Sequence, residues 1–174
     1  MDLGLIGLGR MGANMARRLR RADIKIAAYN RSFDVTQSLA EETGITATTS
    51  VGELVTLLPA PRVVWLMLPA GDITQQYVDQ LITLLNQGDI LIDGANSYYK
   101  DSMRRAVQVA EHGIHFIDAG VSGGVWGLEN GYALMVGGEA QAVQYVEPVL
   151  KVLAPGADKG WLHCDRLAVV ILPR

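Results

Sequence analysis

The stretch Leu3-Gly4-Leu5-Ile6-Gly7-Leu8-Gly9-Arg10-Met11-Gly12 joins a short apolar run to a glycine-spaced turn. The run, Leu3 to Leu8, reads as a parallel strand buried on both faces. The turn, Gly7-Leu8-Gly9-Arg10-Met11-Gly12, matches G-x-G-x-x-G and leads into Met11, Met15 and Leu19, whose spacing predicts a helix. Alone the glycine pattern is weak, because many surface turns hold three glycines. Between a strand and a helix each glycine acquires a mechanical reason. Gly7 permits the tight turn, Gly9 lets the backbone approach a pyrophosphate, and Gly12 lets the helix pack closely on the strand. The N–H groups and positive end of that helix then face the phosphates of a dinucleotide.

Similar apolar runs recur at Ile24 to Tyr29, Val63 to Leu68, Ile90 to Ile92 and Ile114 to Ile117. Helical spacing appears in Ile73, Tyr77, Leu81, Leu84 and Leu85, and a more polar, surface helix is expected from Asp101 to His112. Turn residues at Gly44, Pro59-Ala60-Pro61, Pro69-Ala70-Gly71, Gly88-Asp89 and Gly113 punctuate the pattern. This alternation predicts the α/β class: one Rossmann-type domain with a doubly wound, mainly parallel sheet. It is expected over residues 1–164, with a divergent tail at 165–174. A glycine-rich segment begins at Gly120, and a strand from Tyr132 to Val136 and a helix from Glu139 to Leu153 follow it.

With 174 residues, one domain with a sizeable core is the natural expectation. Hydrophobic residues at 49% and charged residues at 19% exclude disorder. The net charge is −3, and the paired arginines Arg17-Arg18 and Arg20-Arg21 read as the solvated face of the first helix. Nucleic-acid binding is therefore not expected, and no metal site is either. No apolar run approaches a membrane span, and Met1 to Leu8 carries Asp2 and lacks the basic start of a signal peptide. The single cysteine, Cys164, excludes an internal disulfide and reads as a small buried hydrophobe in a cytoplasmic protein.

Asn30-Arg31-Ser32 ends the second expected strand, where NAD enzymes usually carry an acid that accepts from the ribose 2′-hydroxyl. Asn30 is neutral, and the planar fork of Arg31 suits a 2′-phosphate, so NADP is favoured over NAD. Three more segments fall at strand ends. Leu68-Pro69-Ala70-Gly71 is placed to border a nicotinamide ring. Asp93-Gly94-Ala95-Asn96-Ser97 offers, at Asn96, a donor and an acceptor to a polyhydroxylated substrate. Asp118-Ala119-Gly120-Val121-Ser122-Gly123-Gly124 offers a hydroxyl and backbone N–H groups suited to a carboxylate. Singly, Asp93 and Asp118 read equally well as turn caps, and Asn96 and Ser97 as an Asx-turn or helix cap. Their coincidence at the carboxyl edge favours a site.

Together, Gly7-Leu8-Gly9-Arg10-Met11-Gly12, Asn30-Arg31-Ser32, Asp93-Gly94-Ala95-Asn96-Ser97 and Val121-Ser122-Gly123-Gly124-Val125-Trp126-Gly127 resemble the 6-phosphogluconate dehydrogenase family. The run Trp126 to Gly138 resembles its shorter bacterial branch, and the likeness covers about residues 1–164. The resemblance implies substrate contacts at Asn96, Ser122, Gly123 and Gly124. It implies cofactor contacts at Gly7, Leu8, Gly9, Arg10, Met11, Gly12, Asn30, Arg31, Ser32, Leu68, Pro69, Ala70 and Asn96. The implied partner is a small sugar-acid phosphate, oxidised with NADP and decarboxylated to ribulose 5-phosphate in the pentose phosphate pathway. Relatives acting on small β-hydroxy acids such as 3-hydroxyisobutyrate share the Ser-Gly-Gly element and are the alternative, as is a non-catalytic NADP-binding module.

The family continues with a helix bearing Lys-x-x-His-Asn, whose lysine is the acid/base, and with a helical domain through which it dimerises. Lys25, Lys100, Lys151 and Lys159 are the lysines of this chain, and none stands in that motif, so no catalytic residue and no oligomeric state are carried over. The tail reads Asp165-Arg166-Leu167-Ala168-Val169-Val170-Ile171-Leu172-Pro173-Arg174. A codon choice for the family's Gly-Pro-Val-Gly-Ser-Gly-His-Phe-Ala-Lys, read one base out of register, translates into that tail. The expectation is a one-base frameshift; the alternative is a natural short chain ending in a strand from Leu167 to Leu172. Sequencing the gene tests it. Restoring a single base is expected to yield a Gly-His-Phe-x-Lys reading, and the idea fails if no single-base shift does.

Overall fold

The computed structural model describes residues 1–164. The expected tail strand at Leu167 to Leu172 lies outside them. The chain alternates β1 (Asp2–Ile6), α1 (Arg10–Arg21), β2 (Lys25–Tyr29), α2 (Phe33–Thr43), β3 (Thr46–Ala47), α3 (Val51–Leu57) and β4 (Val63–Leu66). It continues with α4 (Asp72–Leu81), β5 (Ile90–Asp93), α5 (Tyr99–Ala110) and β6 (His115–Ser122). A 3₁₀ turn at Gly124–Trp126 leads to α6 (Gly127–Asn130), β7 (Ala133–Gly137), α7 (Ala140–Leu153) and β8 (Trp161–His163).

Among the described residues the strands form one 8-stranded sheet in the order β3-β2-β1-β4-β5-β6-β7-β8. Strands β1 to β6 run parallel; β7 pairs antiparallel with β6, and β8 parallel with β7. The order reverses between β1 and β4. In an open α/β sheet ligands bind outside the carboxyl ends of the strands at such a switch.

Alternation along the pleat distributes side chains to two cores. Leu3, Leu5, Trp65, Ile90, Ile92 and Ile117 face α1 and α7, packing with Met15, Leu19, Val146 and Leu150. Ile6, Val64, Leu66, Leu91 and Phe116 face α3, α4 and α5, packing with Leu54, Val78, Leu81 and Val109. Burial on both faces explains why the central strands read as continuous apolar runs.

Several expectations need correction. The paired arginines are a solvated face only in part: Arg21 is exposed, while the other three are half-buried and engaged by the fold. Arg18 reaches across to α7, donating from Nε to Val152 O at 2.8 Å and from Nη2 to Ala154 O at 2.8 Å. It also donates from Nη1 to Leu128 O in α6 at 3.1 Å. Arg20 bonds Thr43 O and Ile24 O, and Arg17 forms a two-point pair with Glu42. The Asp101 to His112 helix is no simple surface helix either, since α5 buries Ser102, Arg105, Ala106 and Val109. In α4 the buried face is Thr74, Val78 and Leu81, while Ile73 is exposed. Cys164 is only partly buried.

The stretch Asp118 to Ser122, expected as a strand-end loop, is strand: β7 returns alongside it, pairing Asp118 with Gly137 and Ser122 with Ala133. Between β2 and β4, α2, β3 and α3 occupy residues with no clear apolar period. Ser50 starts α3 by accepting from Glu53 N at 3.1 Å, while Glu53 Oε2 accepts from Thr49 N at 2.7 Å. The Thr49 hydroxyl also donates to Glu53 Oε2, at 2.8 Å, and the two bonds from Thr49, the backbone one first, hold the Glu53 carboxyl below the ordinary carboxylate range.

Arg18→Ala is expected to lower stability by about 2–3 kcal/mol, because helix-end carbonyls lose a charged donor. Arg21→Ala, which loses only the exposed pair with Glu129, is expected to stay within about 0.5 kcal/mol, and a urea titration of both variants checks the difference.

Candidate functional site

The carboxyl ends of β1 and β2 meet in the glycine turn. Gly7 follows β1 in the left-handed region, at φ +96°, and donates its N–H to Tyr29 O at 2.9 Å. A Cβ there would lie 2.2 Å from Met67 O, and a Cβ on Gly12 would lie 2.1 Å from Gly7 O. Both glycines are therefore demanded by the protein's own backbone. Gly9 is different. Its φ is −64°, which any residue adopts, and a Cβ would meet nothing within 4 Å. Gly9 caps α1 without a side-chain bond, and the first turn of α1 contains no acid. The helix thus presents bare N–H groups and an uncompensated positive end to open space.

Asn30 braces this turn from β2. Its Oδ1 accepts from Leu8 N at 3.0 Å and its Nδ2 donates to Ser32 O at 3.3 Å. Leu8 is buried with its N–H engaged, whereas Gly9, Arg10, Arg31 and Ser32 are exposed and Met11 half-buried. Beside them the rings of Tyr29 and Tyr77 lie 6.3 Å apart. Burial pushes the Tyr77 phenol above its ordinary value, against the opposing influence of nearby Arg31.

Beyond the switch, the loop after β4 is held from inside. Pro69 O accepts from Thr74 Oγ1 at 2.8 Å and Gly71 O from Arg105 Nη2 at 2.9 Å, while Pro69 and Ala70 remain exposed and Leu68 half-buried. At the end of β5, fully buried Asp93 shapes the turn that follows. Oδ1 accepts from Ala95 N at 2.9 Å, and Oδ2 accepts from Ser97 Oγ at 2.8 Å and from Arg105 Nη1 at 3.0 Å. Asn96 sits in that turn at φ +53°. Its amide clamps β6, accepting from Val121 N at 2.8 Å and donating to Val121 O at 3.1 Å. It extends the sheet's bonding past the end of β5, which leaves one N–H and one lone pair for a ligand.

That clamp sets Asn96 beside exposed Ser122 at the end of β6. Gly123 follows, packed so that a Cβ would meet the Tyr132 ring at 2.8 Å. Gly124 then turns at φ +49° into open space. Tyr132 is fully buried below, and desolvation raises its phenol above the ordinary value. The expected site residues thus form one rim from Gly7 through Leu68 to Asn96 and Ser122. Sequence reading missed Arg105 and Thr74, which tie the rim from behind. Arg105 lies midway along a charged helix, and its pairing with Asp93 depends on how α5 docks.

Comparison with known proteins identifies the family and agrees with the fold. The family model described as the NAD-binding domain of 6-phosphogluconate dehydrogenase matches residues 2–164. The decarboxylating 6-phosphogluconate dehydrogenase of Treponema pallidum (strain Nichols) is 42% identical over 168 residues, covering 94% of this chain and 34% of that protein. The chain thus spans about a third of that curated relative. Plasmodium falciparum 6-phosphogluconate dehydrogenase, solved in its apo form, with NADP+ and with 6-phosphogluconate, superposes with a TM-score of 0.89 at 29% identity. That match covers 96% of this chain and 37% of the other. Mycobacterium tuberculosis 3-hydroxyisobutyrate dehydrogenase superposes with a TM-score of 0.84 at 28% identity, covering 95% of this chain and 55% of the other. Among the described residues no helix is long and apolar enough to cross a membrane, and no group of His, Cys, Asp and Glu could hold a metal ion.

The two glycines predict opposite outcomes on thermal unfolding of the free protein. Gly12→Ala is expected to cost about 2 kcal/mol or more, since a backbone contact must open. Gly9→Ala is expected to cost under about 1 kcal/mol, reflecting only a poorer helix cap. Equal losses would mean that Gly9 has a structural role within the fold.

Proposed function

The chain belongs to the 6-phosphogluconate dehydrogenase family through its NAD-binding domain, and on that premise we propose that it binds NADP along the carboxyl edge of its sheet, as the cofactor-holding part of an enzyme acting on 6-phosphogluconate. The observation that carries this reading is Gly9. Neither its backbone angle nor any neighbour requires glycine there, yet it caps a helix whose positive end faces open space. A pyrophosphate approaching that cap explains the missing side chain.

Two features support NADP over NAD. The strand β2 ends at Tyr29 and is followed by Asn30-Arg31, without the carboxylate that would receive a free 2′-hydroxyl and repel a 2′-phosphate. Arg31 is exposed at the strand end, with its guanidinium available to a phosphate. NADP supplies a hydride acceptor at its nicotinamide. In this reading Leu68, Pro69 and Ala70 wall that ring, and Gly7 to Gly12 hold the pyrophosphate.

On the substrate side, the Ser122 hydroxyl and the backbone around Gly123 and Gly124 are suited to donate to a carboxylate of 6-phosphogluconate. Asn96 keeps one N–H and one lone pair for its hydroxyls. Oxidation followed by decarboxylation also requires a buried acid/base, a role worth about 10²–10⁴ in rate. Lys25, Lys100, Lys151 and Lys159 are all exposed, and Lys151 is paired with Glu147 at 2.7 Å. In this reading the described residues supply the cofactor and substrate walls, and the acid/base is not one of these lysines. The likeness to 3-hydroxyisobutyrate dehydrogenase supports a second reading, in which the same rim takes a smaller β-hydroxy acid.

A thermal melt with NADP, NAD or neither tests the cofactor assignment. At a hundredfold excess over Kd, NADP is expected to stabilise by about 2.7 kcal/mol, with a smaller shift from NAD. Arg31→Glu is expected to abolish the NADP preference. Assays with 6-phosphogluconate or 3-hydroxyisobutyrate are expected to show no turnover at an enzymatic rate. The absence of any shift with either cofactor sinks the assignment.

A further inference from the structure

One buried side chain joins the two loops that flank the rim beyond the switch. Arg105 and Asp93 form an ion pair at 3.0 Å in which both side chains are fully buried. Arg105 Nη1 also donates to Ser97 Oγ at 2.8 Å, Nη2 to Gly71 O at 2.9 Å, and Nε to Gln75 Oε1 at 3.0 Å. Gly71 belongs to the loop after β4, Asp93 ends β5, and Ser97 lies in the turn that follows it. We propose that Arg105 is a positioning residue for the nicotinamide end of the cofactor: it sets the separation of Leu68–Ala70 from Asn96 without touching the ligand. The proposal rests on the cofactor reading above.

The chemistry of the fork supports that role over simple packing. Burying two charges is expensive, and an apolar residue of similar volume would hold α5 on the sheet about as well. An apolar residue cannot bond Asp93, Ser97, Gln75 and Gly71 at once. A planar guanidinium fixes the directions of those bonds relative to one another.

Both loops are otherwise held in a way that passes on any movement of Arg105. Thr74 Oγ1 holds Pro69 O, so the first loop has carbonyls tied inward at both ends of Pro69-Ala70-Gly71. Asp93 holds Ala95 N and Ser97 Oγ on either side of Asn96, whose amide in turn grips Val121. Shortening or tilting the fork therefore moves the Ala70 wall against the Asn96 wall. The partners of Arg105 all lie outside the Gly7 to Gly12 turn, so the pyrophosphate cradle keeps its shape.

The test compares two ligands on the full chain by calorimetric titration: NADP, and 2′-phospho-ADP-ribose, which lacks nicotinamide. The wild type is expected to bind NADP more tightly. Arg105→Lys keeps the charge opposite Asp93 but has no planar fork. It is expected to weaken NADP about tenfold while leaving 2′-phospho-ADP-ribose within about twofold. Gln75→Met releases one arm of the fork and is expected to act in the same direction by about threefold, and it decides the matter if the lysine variant does not fold. Equal weakening of both ligands, or unchanged NADP affinity, overturns the positioning role. Equal wild-type affinity for the two ligands overturns it as well. If the wild type binds neither, the cofactor reading itself has failed.

Discussion

The first turn of α1 lies against the end of β1 at backbone contact distance. Gly12 stands so close that a Cβ would come within 2.1 Å of Gly7 O. Gly7 meanwhile bonds Tyr29 at the end of β2 and crowds Met67 after β4. Three strand ends and one helix therefore converge on two residues without side chains. This contact aims the helix at the switch point, and the direction of its dipole follows from it. A bulkier residue at either position would tilt α1 away and withdraw its N–H groups from the edge.

Around that contact, polar side chains are engaged by the protein before any ligand arrives. Asn30 holds Leu8, Asn96 holds Val121, Asp93 holds Ala95 and Thr74 holds Pro69. Each bond ties a turn to backbone through a side chain, fixing the turn's conformation in advance and reducing the entropy that binding would otherwise lose. What the turns then present outward is mostly backbone: Gly9, Ala70 and Gly124 are exposed. Asn30 and Asn96, which read as ligand-facing groups, act first as braces. Arg105 extends the same principle to a buried charge, with one residue serving two turns.

Much of the fold was legible because the central strands are buried on both faces, which leaves continuous runs such as Val63-Val64-Trp65-Leu66 in the sequence. The glycine turn was legible because its neighbours on either side carry opposite periodicities. The region of α2, β3 and α3 was not, since α2 buries only Thr36 and Leu39 and so carries little apolar signal. The strand character of Asp118 to Ser122 was hidden for another reason. Gly120 and Asp118 are poor strand formers, and they are held extended by bonds to β7, a partner that returns from later in the chain.

By itself the sequence determined the class of fold, the order of its central elements and the segments that reach the carboxyl edge. Those follow from local periodicity and from glycine's freedom at Gly7 and Gly12. Only the tertiary structure decided which side chains face a ligand and which brace the turns. It paired Arg105 with Asp93, sent Arg18 to the end of α7 and turned Asn96 onto Val121. A polar residue's role depends on which backbone donor or acceptor lies within about 3 Å of it. In this sheet those partners come from elements distant in sequence, so no local pattern can encode them.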